Sequence, residues 1–260
     1  MQKNTGHRSV FISDTHLGSK HCRAEELLDF LKQIKTEKLY LVGDIVDGWR
    51  LQKKWYWPNA HNRIIRQLIK LSKDIEVIYI TGNHDEFLRT VDPINIGNIK
   101  VVNNTIHVGV DGRRYLAVHG DMFDYLMKTK FGRWVMRIGD FAYDRLIGLN
   151  IFINRLRAFF GKPYWSVSKY LKYKAKAASN FVGEFEIEMI NYCKKRKFDG
   201  IICGHIHTPA IREVDGVTYM NDGDWCENCS ALIETQEGKF EIVYWTSQNL
   251  QGRAVKAQKS

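Results

Sequence analysis

Val77-Ile78-Tyr79-Ile80-Thr81-Gly82-Asn83-His84-Asp85 is a short apolar run that ends in a turn rich in metal-ligand side chains. Four other blocks have the same design, because each follows an apolar run of three or four residues. They are Asp14-Thr15-His16, Gly43-Asp44, His119-Gly120 and Gly204-His205-Ile206-His207, after residues 10–12, 39–42, 116–118 and 201–203. Apolar runs of this length are typical of buried strands. We therefore expect the five turns to converge on one edge of a sheet.

The five blocks supply imidazoles, carboxylates and one carboxamide, but no thiolate. This ligand set suits Mn²⁺, Fe or Zn²⁺. The candidate ligands are Asp14, His16, Asp44, Asn83, His119, His205 and His207. Seven ligands are too many for one tetrahedral ion and fit two ions that share a bridging carboxylate. Each block alone could be an ordinary turn or cap, but the joint pattern predicts a two-metal hydrolytic site. Asp47 is interpreted as a loop residue or a partner of a ligand.

The blocks D-x-H, G-D-x-x-D, G-N-H-D, H-G and G-H-x-H, in this order, resemble the calcineurin-like metallophosphoesterase superfamily. The resemblance implies an α/β fold, a four-layer αββα sandwich. It implies that Asp14, His16 and His207 hold one ion. It also implies that Asn83, His119 and His205 hold the other ion, with Asp44 as the bridge, and that His84 is catalytic without binding metal.

Such a site predicts attack on phosphorus by a water that bridges the two ions and loses its proton near neutral pH. His84 is placed to donate a proton to the leaving oxygen. Asp85 is a second predicted catalytic residue, because a carboxylate can orient the imidazole of His84. The alternative for Asp85 is a cap of the helix that follows.

A long insertion between the H-G and G-H-x-H blocks makes the chain similar to the UDP-2,3-diacylglucosamine pyrophosphatases of lipid A synthesis. The similarity includes His119-Gly120-Asp121 and the run from Gly204 to Ala210. It implies Mn²⁺-dependent attack on the α-phosphate of an acylated UDP-sugar, which releases UMP and 2,3-diacylglucosamine 1-phosphate. The well-known members carry Arg where this chain has His84.

The insertion is also the most basic part of the chain. Residues 127–176 contain twelve Lys or Arg and two acids, and the rest of the chain carries 27 of each sign, so the whole net charge of +10 lies here. Eleven aromatic residues are interleaved with these charges. We predict one domain, residues 1–260, with a helical lid at 122–180. Lys172, Lys174 and Lys176 are the predicted contacts to the phosphate or uridine side of the substrate.

Three interpretations of this insertion stay open. Basic residues beside large apolar ones suit an acylated anion or the inner-membrane surface. A helical hairpin packed on the main domain would need no lipid. A nucleic-acid surface is the third interpretation, and the dense aliphatic content argues against it. The corresponding functional alternatives are a metallophosphoesterase for a soluble phosphodiester, phosphoprotein or nucleic acid, and a scaffold, which would be expected to have lost ligands.

The remaining sequence predicts location and architecture. Residues 1–9 are polar, so we expect no secretory signal and a cytoplasmic enzyme, peripheral on the cytoplasmic face of the inner membrane. The five cysteines are expected to be free thiols, with Cys226 and Cys229 structural. Residues 23–35, 59–72 and 181–193 are predicted helices. Four apolar runs between residues 211 and 245 predict a second, antiparallel sheet. The oligomeric state is not predicted.

Overall fold

The computed structural model describes residues 6–91, 94–124, 167–245 and 255–256. Most of the predicted lid therefore lies outside the described residues. The chain divides into two compact units, one made of Met1–Met122 with Met189–Ser260 and the other of Phe123–Glu188. The predicted ligands all belong to the first unit. No helix in the described ranges combines the length and the apolarity that crossing a membrane requires.

Eight strands form the first sheet. They are β1 (His7–Ile12), β2 (Thr36–Val42), β3 (Glu76–Ile80), β4 (Ile94–Ile96), β5 (Ile99–Val102), β11 (Ser230–Glu234), β12 (Phe240–Tyr244) and β13 (Val255–Lys256). Their order is β13-β12-β11-β1-β2-β3-β5-β4. Parallel pairing joins β1 to β2 and β2 to β3, with Val10 beside Leu39 and Leu39 beside Val77. The three strand ends that carry Asp14, Asp44 and Asn83 therefore meet at one edge.

Five strands form the second sheet, in the order β6-β7-β8-β10-β9. They are β6 (Thr105–Val108), β7 (Arg114–Ala117), β8 (Gly200–Cys203), β9 (Ala210–Val214) and β10 (Val217–Asn221). Strands β7, β8 and β10 are parallel, with Leu116 beside Ile201 and Tyr219 beside Ile201. This parallel pairing brings the turns that carry His119 and His205 to the same edge of the second sheet.

The described helices are α1 (Ala24–Gln33), α2 (Gly48–Lys53), α3 (Asn59–Leu71) and α4 (Val167–Arg196). Helices α1 and α3 confirm the predictions at residues 23–35 and 59–72. Their apolar faces, which include Leu27, Leu31 and Ile64, are buried in one core cluster with the first sheet. Helix α4 contains the predicted helix at 181–193 and begins well before it.

A second core cluster contains residues of both sheets, such as Phe11 and Tyr40 from the first and Ala117 and Met220 from the second. The two sheets therefore pack face to face, and α1 and α3 cover the outer face of the first. The predicted α/β sandwich class is confirmed. The prediction that the tail forms one antiparallel sheet is wrong, because β11 and β12 join the first sheet beside β1, whereas β9 and β10 extend the second.

Candidate metal centre

The predicted ligands lie on turns at the carboxyl ends of five strands. Strands β1, β2 and β3 supply Asp14, His16, Asp44 and Asn83, while β7 and β8 supply His119, His205 and His207. The expectation of a single sheet edge is wrong, because the turns come from the facing edges of two sheets. The sheets are joined where the Nδ1 atom of His119 lies 2.9 Å from the carbonyl oxygen of Val42. Pairing of strands within each sheet and packing between sheets together bring these turns into one place.

The backbone at these turns is unusual. Five of the predicted ligands have left-handed φ values: Asp14 (50°), His16 (46°), Asp44 (54°), His205 (69°) and His207 (53°). Only eight residues other than glycine have positive φ in the described ranges. A left-handed backbone is unfavourable for a residue with a Cβ atom, and such residues cluster at functional sites. These left-handed residues all lie in the turns that follow β1, β2 and β8.

Neighbouring glycines leave room for the ligands. Gly43 has a φ of +85°, and a Cβ atom on it would lie 2.5 Å from the imidazole of His119. A Cβ atom on Gly204 would collide with Ser13 Oγ and would lie 2.5 Å from Asp14 Oδ2. These two glycines are therefore required by close packing around the ligands.

The side chains of the turns form three groups of potential ligands. They are Asp14 with His16 and His207, Asp14 with Asp44 and His119, and His16 with Asp44 and His84; in each group the ligand atoms lie within 4.8 Å of one another. Asp14 Oδ1 lies 3.1 Å from His207 Nε2 and 3.6 Å from His16 Nε2. Asp44 Oδ2 lies 3.3 Å from His119 Nε2. The His205 ring lies 5.1 Å from the His119 ring.

Three of the predicted ligand atoms are buried and form no hydrogen bond in the described part of the chain. They are Asp14 Oδ1, Asn83 Oδ1 and His119 Nε2. Buried polar atoms nearly always have a hydrogen-bond partner, so a carboxylate oxygen, an amide oxygen and an imidazole nitrogen that lack one in the same place need an explanation. Divalent cations accept all three atom types as ligands. The residues therefore fit a metal centre.

His84 is adjacent to this centre. Its Nε2 atom lies 3.9 Å from Asp44 Oδ2, and its Nδ1 atom lies 2.9 Å from Asp47 Oδ1. The carboxylate that orients the imidazole is therefore Asp47, and the prediction that Asp85 orients it is wrong. Asp85 is next to His84 in the chain, but its carboxylate bonds to Ile45, Tyr79 and Gly82, and the order of the residues did not reveal this difference.

Asp85 is buried and stabilises the turn. Its carboxylate accepts hydrogen bonds from the backbone N–H of Ile45 at 2.9 Å, from the Tyr79 hydroxyl at 2.6 Å and from the backbone N–H of Gly82. The alternative that Asp85 caps the following helix is not observed either, because these donors lie before it in the chain. Asp85 connects the turn to β3 and to the loop after Asp44.

Residues 7–209 match the family described as calcineurin-like phosphoesterase. The chain belongs to this family. It is therefore a hydrolase of phosphate esters or anhydrides, and its centre is of the kind that binds divalent metal ions.

Individual relatives of this phosphoesterase share low identity over long stretches. A UDP-2,3-diacylglucosamine hydrolase of Psychromonas ingrahamii is 23% identical over 251 residues, which cover 91% of this chain and 96% of that protein. A DNA polymerase II small subunit of Methanothermobacter thermautotrophicus is 24% identical over 250 residues, 82% of this chain and 46% of that protein. A solved archaeal phosphodiesterase has a TM-score of 0.43 and 16% identity, covering 91% of this chain and 98% of its own.

In the absence of a metal ion, the electrostatic environment of the phosphoesterase centre favours the charged forms of the predicted ligand side chains. Burial opposes protonation of His16, but the carboxylates of Asp14, Asp47 and Asp44 outweigh it and raise the pKa of His16 to about 10. Burial also opposes ionisation of Asp44, but the imidazoles of His119 and His16 lower its pKa to about 2. A metal cation that binds here must therefore displace protons from the imidazoles. The two carboxylates are already ionised and can bind the cation without losing a proton.

One neighbouring acid was missed by the sequence predictions. Ser13 Oγ lies 2.5 Å from Asp14 Oδ2 and 2.6 Å from Asp222 Oδ1, and one hydroxyl hydrogen cannot serve both oxygens. Burial raises the pKa of Asp222 well above its ordinary value, which favours a protonated carboxyl in this buried cluster. Asp222 follows the apolar strand β10, the same signal that identified the ligands.

The remaining predicted site residues are not brought to the centre by anything that the structure describes. Lys172, Lys174 and Lys176 lie on α4, and their side chains are outside the described residues. The aromatic and basic residues between 125 and 166 are outside them as well.

Proposed function

We propose that this phosphoesterase hydrolyses UDP-2,3-diacylglucosamine to UMP and 2,3-diacylglucosamine 1-phosphate. The observation that best supports hydrolysis is the cluster of three buried atoms that form no hydrogen bond, all of them on predicted metal ligands. The substrate is supported by the activity named for the Psychromonas relative, which this chain matches over 96% of that protein's length.

We assign two divalent ions to the centre. Asp14, His16 and His207 would hold one, Asn83, His119 and His205 the other, and Asp44 would be shared. Nitrogen and oxygen donors without thiolate are compatible with Mn²⁺, the metal that the resemblance implies. The ions, when bound, lower the pKa of the attacking water and place positive charge opposite the phosphoryl oxygens.

The protein's own contribution to the chemistry is the placement of His84. Because the Asp47 carboxylate accepts the hydrogen on Nδ1, the Nε2 atom of His84 faces the metal centre. A protonated Nε2 can then donate to the oxygen that leaves phosphorus. Asp47 is a positioning residue in this scheme, and its carboxylate also accepts a hydrogen bond from the Arg50 backbone N–H at 3.0 Å.

We place the enzyme on the cytoplasmic face of the inner membrane, attached through residues 127–176. The support is compositional: this segment carries the whole net charge of +10 together with eleven aromatic residues. Lys172, Lys174 and Lys176 remain the proposed contacts to the phosphate or uridine part of the substrate.

The relative named as a DNA polymerase II small subunit supports nucleic acid as a second candidate substrate. The basic insertion would then bind a phosphate backbone. The chain spans less than half of that subunit, 46% of its length, so we rank this candidate second.

One assay tests these proposals. Purified protein with Mn²⁺ is offered UDP-2,3-diacylglucosamine, an aryl phosphodiester and single-stranded DNA, and release of UMP, aryl alcohol and nucleotides is measured. UMP release at a kcat/KM at least a hundredfold above that for the other two supports the first proposal. Nucleotide release without UMP release would replace it with the second.

The variant Asp44→Ala tests the assignment of two metal ions. This variant should lose at least one metal ion and all turnover, because the shared ligand is gone. Two ions retained in an active Asp44→Ala protein would disprove the two-metal assignment.

A further inference from the structure

A cleft of about 440 Å³ opens beside His84. Helix α2 supplies one wall, and the turn that follows His84 supplies the other. The side chains used below are Trp49, Gln52, His84, Glu86, Phe87 and Arg89. None of them except His84 belongs to the predicted catalytic machinery.

The walls of the cleft are held by specific contacts. The Trp49 indole lies 4.4 Å from the His84 ring at an angle of 35°, and its N–H donates to Glu86 Oε1 at 3.1 Å. The Arg89 guanidinium donates to the Thr81 carbonyl at 3.2 Å and to Asp121 Oδ1 at 2.9 Å. These contacts fix the indole and the guanidinium before any ligand binds, and preorganised groups bind at a lower entropic cost.

The surface of the cleft is largely apolar and accessible. Trp49 is 41% exposed and Phe87 is 48% exposed, although both are large aromatic side chains. Exposed aromatic groups beside a polar reaction centre are typical of a ligand site. Gln52 and Arg89 add a hydrogen-bonding amide and a permanent cation, which suit a sugar and a phosphate.

The position of the cleft indicates which part of a substrate it takes. His84 lies between the metal centre and Trp49, with its Nε2 atom toward Asp44 and one side against the indole. A group that receives a proton from His84 must lie next to this imidazole. The cleft is the space that continues from it.

We propose that this cleft binds the departing half of the substrate, an acylated glycosyl phosphate, with its apolar surface against Trp49 and Phe87 and its phosphate toward Arg89. The proposal rests on the proposed function, in which UMP is the other product. It differs from the membrane role of the insertion, because every residue it uses lies outside residues 127–176.

The test measures product binding, which needs no turnover. Isothermal titration calorimetry of the Mn²⁺-loaded protein gives Kd for 2,3-diacylglucosamine 1-phosphate and for UMP. Phe87→Ala and Trp49→Ala should weaken binding of the acylated phosphate at least tenfold and change UMP binding less than twofold. The control is Trp55→Ala, because Trp55 is 73% exposed on the same segment and does not line the cleft; this variant should bind both products normally.

Two further ligands separate the sugar from the acyl chains. Glucosamine 1-phosphate lacks the chains, and lysophosphatidic acid lacks the sugar. The proposal expects Phe87→Ala to weaken lysophosphatidic acid binding, while glucosamine 1-phosphate binding depends chiefly on Arg89. Because Phe87 is half exposed, its truncation should leave folding intact, and an unchanged melting temperature checks this.

The results distinguish this proposal from the proposed function. UMP release with acylated-phosphate binding that neither variant alters would overturn the cleft assignment alone. Failure to hydrolyse the UDP-sugar, with lysophosphatidic acid still bound through Phe87, would overturn the proposed substrate and support an acyl-phosphate site. Weaker UMP binding in both variants would show that the cleft takes the nucleoside, against the proposal.

Discussion

His84 is predicted to take part in the chemistry without holding metal. Its contacts are the Asp47 carboxylate and the Trp49 ring, and its Nε2 atom is 3.9 Å from Asp44 Oδ2. His84→Ala should therefore keep both ions and lower kcat about a hundredfold or more, the usual effect of losing a proton donor. His205→Ala should instead weaken metal binding. Elemental analysis of the metal content and measurement of kcat for both variants distinguish these roles. If His84→Ala loses as much metal as His205→Ala, His84 is a metal ligand.

Asp85 should behave as a structural residue. Asp85→Ala leaves the Tyr79 hydroxyl and two backbone N–H groups buried without their acceptor. We expect a loss of about 3 kcal/mol or more in the free energy of unfolding, because each unpaired buried donor costs about 1–3 kcal/mol. Urea unfolding of the metal-free protein measures it. Unchanged stability together with a kcat as low as that of His84→Ala would restore a catalytic role.

The imidazoles make metal binding depend on pH. The pKa of His16 is about 10 in the folded, metal-free protein, against 6.5 in the unfolded chain. Protonation of His16 therefore stabilises the metal-free fold fully below pH 6.5, and this contribution disappears as the pH rises toward 10. Metal needs the neutral ring, so affinity should rise with pH over the same range. Calorimetric titration of the metal into the protein, in two buffers of different ionisation enthalpy, should detect the protons that metal binding releases. Identical binding heats in the two buffers would contradict this proton release.

At the scale of the elements, the strands and their terminal turns could be predicted because both are local features of the sequence. The pairing of the strands could not, since β11 takes its place beside β1 through residues more than two hundred positions apart. The same limit explains Asp47 and Asp85: the chain order does not say which carboxylate points toward an imidazole. The types of residue in the sequence also do not predict the left-handed backbone of the predicted ligands.

The turn after β8 offers a test of this close packing. Gly204→Ala should displace Asp14, because the new methyl group would collide with Ser13 Oγ and the Asp14 carboxylate. We expect loss of metal and activity. The matched control is Gly183→Ala on α4, where nothing lies within 4 Å of the new Cβ atom and alanine should stabilise the helix by up to about 1 kcal/mol. Full metal content in Gly204→Ala would show that the turn can relax.

For the whole molecule, the concentration of charge in residues 127–176 predicts attachment to anionic vesicles. Binding should weaken with salt without disappearing, because apolar burial persists after charges are screened. Phe152→Ser with Phe159→Ser should raise KM for the diacylated substrate and leave hydrolysis of a small phosphodiester nearly unchanged. Vesicle sedimentation and kinetics measure this. An equal effect on both substrates would make the segment a structural brace.

The left-handed turns also have an evolutionary consequence. Asp14, His16, Asp44, His205 and His207 each hold a backbone conformation that glycine adopts freely and that costs other residues on the order of 1 kcal/mol. Selection for hydrolysis thus keeps the fold below the stability that its own topology permits. A duplicated copy released from that selection would gain stability by acquiring glycine at these positions. Its descendants would melt at higher temperatures than the enzyme from which they arose.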